Sequence, residues 1–311
     1  VTLSDTSLAS SVLNTLDGNT TGAVNAATVT TLTGLAADAN TAYASNGITG
    51  LGDEAVTLSD TSLATTVLNT LDGNTTGAVN AATVTTLTGT AATANTAYAS
   101  NGITGLGDEA VTLSDTSLAT TVLNTLDGNT TGAVNAATVT TLTGTAATAN
   151  TAYASSGISG LGNEAVTLTD TAGVALTLHT LDSNTTGSVD ASTVTSVTGV
   201  SPTVITIYNS NGISGLGNEA ITLTGDTTVS NTNTVAALTS GVVTATISEG
   251  DMSTLAGLTE TGNAYTVTIT DTSVVSSALN TLDGKTTVAV NAAAVTTLTG
   301  LAADANTAYA S

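Results

Sequence analysis

The 311-residue sequence has no cysteine, tryptophan or phenylalanine, and lysine and arginine together contribute one residue, Lys285. Without cysteine the chain can form no disulfide bond and offers no thiol nucleophile. Its 23 acidic residues give a formal net charge of −22. Nucleic acids and anionic membranes are bound by clustered lysine and arginine, so this composition predicts no nucleic-acid partner.

Long apolar runs are missing too. No stretch approaches the roughly 18 consecutive apolar residues of a membrane-spanning helix, and we expect no membrane insertion. No secretion signal is visible, and the chain begins with Val1 in the middle of a pattern. We therefore expect an internal piece or a processed product. The absence of cysteine is compatible with bacterial secretion.

Internal repetition is the main feature that is present. The string VTLSDTSLA begins at Val1, Val56 and Val111, which sets a period of about 55 residues. The string LNTLDGNTTGAVNAATVTTLTG begins at Leu13 and again one and two repeats later. The segments 56–110 and 111–165 are nearly identical. Repeats of this length are typical of solenoids, in which each unit buries its apolar side against its neighbours.

Each repeat divides into two related halves, because the triplet Thr2-Leu3-Ser4 has a counterpart in Thr31-Leu32-Thr33. The central apolar residues follow at two alternating gaps, a longer and a shorter one, until the pattern slips near residues 224–266. They are Leu3, Leu32, Leu58, Leu87, Leu113, Leu142, Leu168, Val197, Leu223, Ile247, Ile269 and Leu298. We divide the chain into regular repeats over 1–224, irregular coils over 225–266 and a truncated final repeat over 267–311.

Within one coil, the triplet alternates polar and apolar residues, which favours a half-buried strand. Asp5 or Ser7 is then expected to cap a helix whose apolar stripe includes Leu13, with Gly18 at its left-handed C-cap. In the companion coil, Leu35, Ala39, Ala42 and Tyr43 form the stripe. Pro202 falls in the first turn of its predicted helix, where a missing N–H costs nothing.

These patterns predict an α/β solenoid of stacked coils of about 27 residues. Each coil contributes one strand to a parallel β ladder and one short helix. In the predicted ladder Leu3, Leu32 and Leu58 lie on one another. The alternative is an all-β parallel solenoid, in which the segment SLASSVLNTLDG is only a loop.

The strings GLGNEAVTLTD, LNTLDGNTTGAVNAATVTTLTGTAA and TAYASSGISGLGNEA resemble the tandem repeats of very large secreted surface proteins of cyanobacteria and other aquatic bacteria. The resemblance covers essentially the whole chain. It implies an extracellular or cell-surface protein of matrix, adhesive or surface-layer type. The glycine-rich G-G-x-G-x-D calcium repeat found in such proteins is absent here.

The segment DGNTTG resembles the start of a helix–loop–helix calcium loop, with oxygen-bearing residues at loop positions 1, 3 and 5 and Gly22 at position 6. The calcium candidates are Asp17, Asn19, Thr21, Asp72, Asn74, Thr76, Asp127, Asn129, Thr131, Asp182, Asn184 and Thr186. Position 12 is Thr28 instead of the bidentate glutamate, and Lys285 stands in the last copy. The alternative is that these side chains form Asx-type turns at a helix end. Calcium is the one candidate cofactor.

The remaining polar motifs give no catalytic candidate. The GDEA pair Asp53 and Glu54 recurs in successive repeats, whereas a catalytic pair needs one special environment, so we interpret it as a solvated or cation-bridging turn. His179 replaces the asparagine of sister coils, such as Asn14, and is interpreted as an exposed position. The matches to the glycosylation sequon at Asn19 and its copies are attributed to chance in a threonine-rich chain.

Threonine pairs flank the central apolar residues, as at Thr31/Thr33, Thr86/Thr88 and Thr141/Thr143, with Thr2/Ser4 and similar pairs between them. Stacked at strand spacing, they would form two rows of hydroxyls and methyls, a face suited to ice or sugars. The simpler explanation is that threonine favours exposed strand positions. Residues 225–266, which gather Asp226, Glu249, Asp251 and Glu260, suggest an array junction or a contact surface.

Together these observations predict a non-enzymatic structural repeat protein of an extracellular filament, surface layer or matrix. The alternative is a binding module, either a calcium-dependent adhesin or a glycan- or ice-binding face. Both ends of the chain stop in mid-pattern without a polar cap, and bare coils expose pairing edges. The expected partner is the chain itself, as a homopolymer or as adjacent repeats of a longer chain.

Overall fold

A computed structural model describes residues 1–311 and contains twelve short helices, numbered α1 to α12 in chain order. They span Ser10–Gly18, Ala36–Ala44, Thr65–Asn74, Ala91–Ala99, Thr120–Asn129, Ala146–Ala154, Ala175–Asn184, Ser201–Tyr208, Val229–Ala236, Met252–Leu255, Ser276–Asp283 and Ala302–Ala310. None of the twelve has the length and apolar character needed to cross a membrane.

Short strands, β1 to β24, separate the helices. They span Ser7–Ala9, Val24–Asn25, Thr31–Gly34, Ile48–Thr49, Ala55–Leu58, Ser62–Ala64, Val79–Asn80, Thr86–Gly89, Ile103–Thr104, Ala110–Leu113, Ser117–Ala119, Val134–Asn135, Thr141–Gly144, Ile158–Ser159, Ala165–Leu168, Ala172–Val174, Val189–Asp190, Ser196–Gly199, Ile213–Ser214, Ala220–Thr227, Val243–Ile247, Ala264–Thr266, Ser273–Val275 and Thr297–Thr299.

The chain divides into two compact units, one comprising Val1–Leu142 with Thr151–Gly162 and the other Thr143–Asn150 with Asn163–Ser311. The first unit holds two five-stranded parallel sheets, in the orders β1-β3-β5-β7-β9 and β6-β8-β10-β12-β14. The second holds the five-stranded sheet β16-β18-β20-β21-β22, the parallel run β15-β17-β19 and the pair β23-β24. The stacked, repeated strand–helix units confirm the α/β solenoid, and the helices rule out the all-β alternative.

Strand pairing and helix spacing follow different periods. In the first sheet Leu8 pairs with Leu32 and Leu32 with Val56, which are equal steps along the chain. Helices α1, α2 and α3 begin at more widely and unevenly spaced residues, at Ser10, Ala36 and Thr65. The paired strand therefore lies further from the start of the following helix in each successive coil. Strand β1 lies directly before a helix, whereas β7 and β9 of the same sheet each follow one. A new sheet, with its first strand directly before a helix, begins in each regular repeat.

This register corrects the predicted ladder. Leu32 is fully buried as expected, but its strand neighbours are Leu8 and Val56. Leu58 lies opposite Gly34, and Thr2 rather than Leu3 marks the bridge to Asn25. The prediction paired equivalent positions of the two halves of the repeat. In the structure, each strand residue pairs with the residue that the chain reaches after one full turn of the coil, which is fewer residues away. These leucines still point inward, because alternate strand residues face the same side.

The helices bury a narrow stripe of small and aliphatic side chains. Helix α3 buries Thr65, Leu68 and Leu71, and helix α2 buries alanine at three positions. Leu35, which was assigned to that stripe, is 45% exposed, because it precedes the helix. Helix α1 runs through Gly18, which has no positive φ, so the predicted left-handed C-cap is wrong. Pro202 lies in the first turn of α8, as predicted.

The N-termini of several helices are capped by the following coil. The Oδ2 atom of Asp60 accepts a hydrogen bond from the backbone N–H of Ala36 at 2.8 Å. Asp115 does the same for Ala91 at 2.8 Å, and Asp271 for Met252 at 2.7 Å. The expectation that Asp5 or Ser7 caps helix α1 is therefore wrong, since the N-cap is Ala9, with no side-chain bond, and Ser7 belongs to strand β1. In every second coil of the regular repeats, an aspartate therefore satisfies a free N–H of the preceding helix.

The segment assigned as irregular keeps the coiled path with shorter turns. Strand β21 pairs with β20 and β22, and Ala264 lies opposite Thr244, a shorter step along the chain than in the regular repeats. The register shifts between Thr222 and Asp226. Glu249 replaces the usual aspartate and accepts from the N–H of Val229 at 3.1 Å. Inter-coil capping thus survives a change in coil length.

We expect Asp115→Ala to lower the free energy of unfolding by about 0.5–2 kcal/mol, the usual cost of losing a side-chain N-cap. The substitution leaves the N–H of Ala91 without its acceptor. The matched control is Asp108→Ala, which removes an equal charge from the exposed turn before strand β10. Urea unfolding followed by circular dichroism measures both. Equal effects of the two substitutions would contradict the capping role.

Candidate functional site

The calcium candidates form hydrogen bonds to separate parts of the coil. In the second copy, Asp72 Oδ2 accepts from Ser100 Oγ at 2.7 Å, and Asn74 Nδ2 donates to Asn40 Oδ1 at 2.9 Å. The N–H of Thr76 donates to the carbonyl of Gly52 at 2.8 Å. One set thus bonds to three segments, before and after it in the chain. The first half of the segment expected to be a loop belongs to helix α3, which extends to Asn74.

Most of these contacts recur in the other copies. Asp17, Asp127 and Asp182 accept from Ser45, Ser155 and Ser210 at 2.6–2.7 Å, and Asn129 and Asn184 donate to the asparagines Asn95 and Asn150 at 3.0 Å. Thr131 Oγ1 donates to the Gly107 carbonyl at 3.3 Å. In the last copy Asp283 accepts from Ser311 at 2.6 Å, and Lys285 Nζ donates to the Thr259 carbonyl. The serine hydroxyl offsets the unfavourable place of a carboxylate at a helix C-terminus. Calcium binding by these residues stays a prediction.

No three side chains of the acidic and histidine types come close enough together to hold a metal ion. His179 is half-buried, and its Nδ1 is buried without a hydrogen-bond partner. The prediction that this position is exposed and permissive is wrong. In sister coils the asparagine at this position, Asn14 or Asn69, forms a hydrogen bond to the next helix. Their side-chain amides donate to the carbonyls of Asp38 and Thr93 at 2.9 Å.

The threonine pairs do not stack into two uniform rows. Thr31 lies between Ser7 and Ala55, while Thr33 lies between Ala9 and Thr57. In the next sheet Thr86 lies between Ser62 and Ala110. In the first sheet one outward row therefore mixes serine, threonine and alanine, and the other mixes alanine, threonine and asparagine. A T-x-T pair is not followed by another in the same sheet. The regular array expected of an ice-binding face is not formed in these two sheets.

Four glutamates are fully buried, which sequence reasoning missed: Glu54, Glu109, Glu164 and Glu219. The paired aspartate or asparagine before each one stays in the turn, and Asp53 is exposed. The interpretation of GDEA as a solvated turn thus holds for Asp53 and is wrong for Glu54. Two signals could have revealed it. Aspartate gives way to asparagine in later repeats while glutamate does not, and Glu54, Val56 and Leu58 alternate along one buried strand face.

Each buried glutamate lies at the turn that leads into a strand. The Oε2 atom of Glu54 accepts from the Tyr43 hydroxyl at 2.9 Å and from the backbone N–H of Gly52 at 2.9 Å. The carbonyl of Glu54 accepts from Thr75 Oγ1 at 2.7 Å, and Thr75 in turn accepts from the N–H of Gly77 at 3.0 Å. Glu54 therefore links the end of α2, its own turn and the following coil.

The same constellation occurs at Glu109 with Tyr98 at 2.9 Å and at Glu219 with Tyr208 at 2.7 Å. In Glu54, Glu109 and Glu219 the second oxygen, Oε1, is buried and has no hydrogen-bond partner. A buried carboxylate normally requires a paired cation. Here a phenol hydroxyl and backbone N–H groups take that place, because the only lysine of the chain bonds elsewhere.

Burial raises the pKa of Tyr43, Tyr98 and Tyr208 well above the usual value for tyrosine, and the adjacent glutamates raise it further. Burial likewise raises the pKa of Tyr265 to about 12. Tyr43, Tyr98 and Tyr208 therefore remain protonated donors over the physiological range, whereas the buried hydroxyl of Tyr265 has no hydrogen-bond partner. Because tyrosine and glutamate recur together and the carboxylates are fully buried, their evident role is to hold the turn.

Comparison of the chain with protein-family models, with curated proteins and with solved structures finds no match.

We expect the free energy of unfolding to fall as pH rises above about 10, the pKa of tyrosine in an unfolded chain. Above that pH the unfolded chain loses tyrosine protons, while the folded chain retains them at Tyr43, Tyr98 and Tyr208. Their stabilising contribution is thus complete below pH ~10 and decreases as pH rises toward the folded-state pKa values. Urea unfolding at a series of pH values measures this slope.

The matched control for this pH dependence is the triple variant Tyr43→Phe, Tyr98→Phe and Tyr208→Phe. It keeps the rings and removes the ionisable hydroxyls, so its stability at neutral pH should be lower and its alkaline slope shallower. A variant with the same alkaline slope as the original chain would contradict the assignment.

Proposed function

We propose that the chain is a non-enzymatic structural repeat protein that builds an extracellular filament, surface layer or matrix through contacts between coils. The observation that carries the proposal is that the same few inter-coil contacts recur from one repeat to the next. They are the parallel strand register, the aspartate cap, the asparagine bonds and the bond from Thr75 to the Glu54 carbonyl. Polar groups that would serve chemistry in an enzyme are used here to join one coil to the next.

The arrangement of charge supports the same proposal. The chain carries a net charge of −22, and its turn aspartates, such as Asp53 and Asp108, are exposed. A strongly acidic surface keeps separate copies soluble by mutual repulsion. Association should therefore strengthen at higher ionic strength, where exposed charges are screened over about 10 Å at 0.1 M salt. The extracellular location rests on the resemblance of the repeats to those of secreted surface proteins.

Electron microscopy of the purified chain at rising protein and salt concentrations tests this function. We expect fibres, sheets or other ordered assemblies that become more abundant as salt screens the acidic surface. Sedimentation at the same concentrations provides the control for mass. A monodisperse monomer at every protein and salt concentration would overturn the proposal.

The second candidate function is a calcium-dependent adhesin, favoured by exposed carboxylates in a chain of net charge −22. If calcium binds the folded chain, millimolar calcium should raise the melting temperature. Sodium chloride of matched ionic strength and magnesium chloride serve as controls, since general screening would act with all three salts. Absence of a calcium-specific shift would remove this candidate.

A further inference from the structure

One repeat of the second compact unit carries large aliphatic side chains where its sisters have small or polar ones. Val174, Leu176 and Val200 are 51%, 65% and 50% exposed and line one open groove of about 410 Å³. The corresponding residues of the preceding repeat are Ala119, Thr121 and Thr145. Exposed aliphatic side chains that gather around a groove of this size indicate a binding surface.

The groove lies at the N-terminus of helix α8. Val174 and Val200 are the N-cap residues of α7 and α8, and Leu176 lies in the first turn of α7. Gly199, which ends strand β18, also lines the groove. The first N–H groups of a helix have no acceptor within the helix and carry partial positive charge. The groove therefore combines aliphatic walls with one positively polarised end.

In three earlier coils the corresponding helix N-terminus holds a carboxylate. Asp60, Asp115 and Asp170 accept hydrogen bonds at 2.7–2.8 Å from the first backbone N–H of helices α2, α4 and α6. In α8 the corresponding N–H belongs to Ser201, and the residue one repeat after Asp170 is Gly225. No side chain caps α8. The sister coils thus show that this position of the coil accommodates a carboxylate oxygen.

The residue after this glycine, Asp226, does not restore the cap. Gly225 has a φ of +74°, and the strand register shifts between Thr222 and Asp226, which pairs with Thr246. Asp226 is exposed and accepts no hydrogen bond from α8. A carboxylate that reaches the N–H of Ser201 therefore comes from another molecule.

A threonine hydroxyl beside this N–H has also lost its partners. In helix α4 the hydroxyl of Thr93 lies 2.6 Å from that of Thr65 and 3.0 Å from that of Thr90. The residue of α8 that corresponds to Thr93 is Thr203, which lines the groove. Its two partners are replaced by Ala175 and Val200. Neither side chain can form a hydrogen bond, so the Thr203 hydroxyl can donate to a ligand in the groove.

We propose that this groove binds a small aliphatic carboxylate. One carboxylate oxygen accepts from the N–H of Ser201, as in the sister coils, and the other accepts from the Thr203 hydroxyl. The alkyl group lies against Val174, Leu176 and Val200. The volume of about 410 Å³ lies within the range of small-molecule pockets, roughly 300–1,000 Å³. The proposed structural function does not depend on this site, which belongs to a single repeat.

Calorimetric titration with isovalerate, a branched aliphatic carboxylate, tests the site. We expect saturable binding at millimolar ligand. Isovaleramide keeps the alkyl group without the charge, and acetate keeps the charge with little alkyl surface. Each should bind about tenfold more weakly or worse, because each lacks one half of the recognition. Equal binding of isovalerate and isovaleramide would overturn the proposal.

Substitutions in the walls locate the binding site. The double variant Leu176→Thr and Val200→Thr introduces the residues that occupy these positions in the preceding repeat, so it should fold. It should weaken isovalerate binding about tenfold or more, because the alkyl group loses apolar contacts. The matched control is Val242→Thr, which changes another exposed valine outside the groove. The same affinity in both variants would show that isovalerate binds elsewhere and the assignment is wrong.

Substitutions of Gly225 test the carboxylate end of the groove. Gly225→Asp supplies within the chain the carboxylate of the sister coils and should abolish isovalerate binding. Gly225→Asn places a side chain of similar shape at the same positive φ without the charge and should retain binding. Both side chains have room, because no atom lies within 4 Å of the Cβ position. Unchanged affinity of Gly225→Asp would contradict the carboxylate position.

Sedimentation separates a free ligand from an acidic side chain of a second copy. If isovalerate does not bind the original chain and the double variant Leu176→Thr and Val200→Thr associates less, the groove joins copies and the proposal is wrong. If isovalerate does not bind and association is unchanged, the groove has neither role and the proposal is wrong as well. In the second case assembly through other contacts, and with it the proposed structural function, still stands.

Discussion

The structure depends on contacts between successive coils, because no single coil can bury its own apolar side. Leu32 is fully buried because Leu8 and Val56 flank it in the sheet and helices lie over it. Stability in such a stack is a sum of weak coil energies and favourable nearest-neighbour terms.

The polar groups follow the same principle. Asp60 caps a helix of the preceding coil, Asn40 bridges two helices, and Glu54 connects a tyrosine with its own turn. A chain with one lysine and no arginine has almost no cations with which to neutralise buried carboxylates. Phenol hydroxyls and backbone N–H groups donate hydrogen bonds to these carboxyl groups instead. One oxygen of Glu54 nonetheless stays unsatisfied, and such groups are costly.

Much of the fold was predictable because period and alternation act locally. The length of the repeat, the two strand–helix units within it and the place of Pro202 follow from residue spacing alone. The strand register does not follow from residue spacing. Matching Leu3 with Leu32 assumed that pairing joins equivalent positions of the repeat, but the chain returns to the sheet sooner, as when Val56 pairs with Val79. The number of residues between paired strands is smaller than the number between successive helices, and for this reason the strand position shifts from coil to coil. The number of residues that one turn of the coil requires depends on its three-dimensional path, which residue spacing does not give.

The candidate site divides in the same way. The sequence determined that no cysteine, cationic patch or unique polar cluster was available, since composition cannot be altered by folding. It also determined which motifs recur. Only the tertiary structure decided that Asp72 faces Ser100, that Asn74 faces Asn40 and that Glu54 is buried while Asp53 is exposed. Side chains adjacent in sequence point to different neighbours on a coil, and the identity of those neighbours depends on the stacking register, which no local pattern encodes.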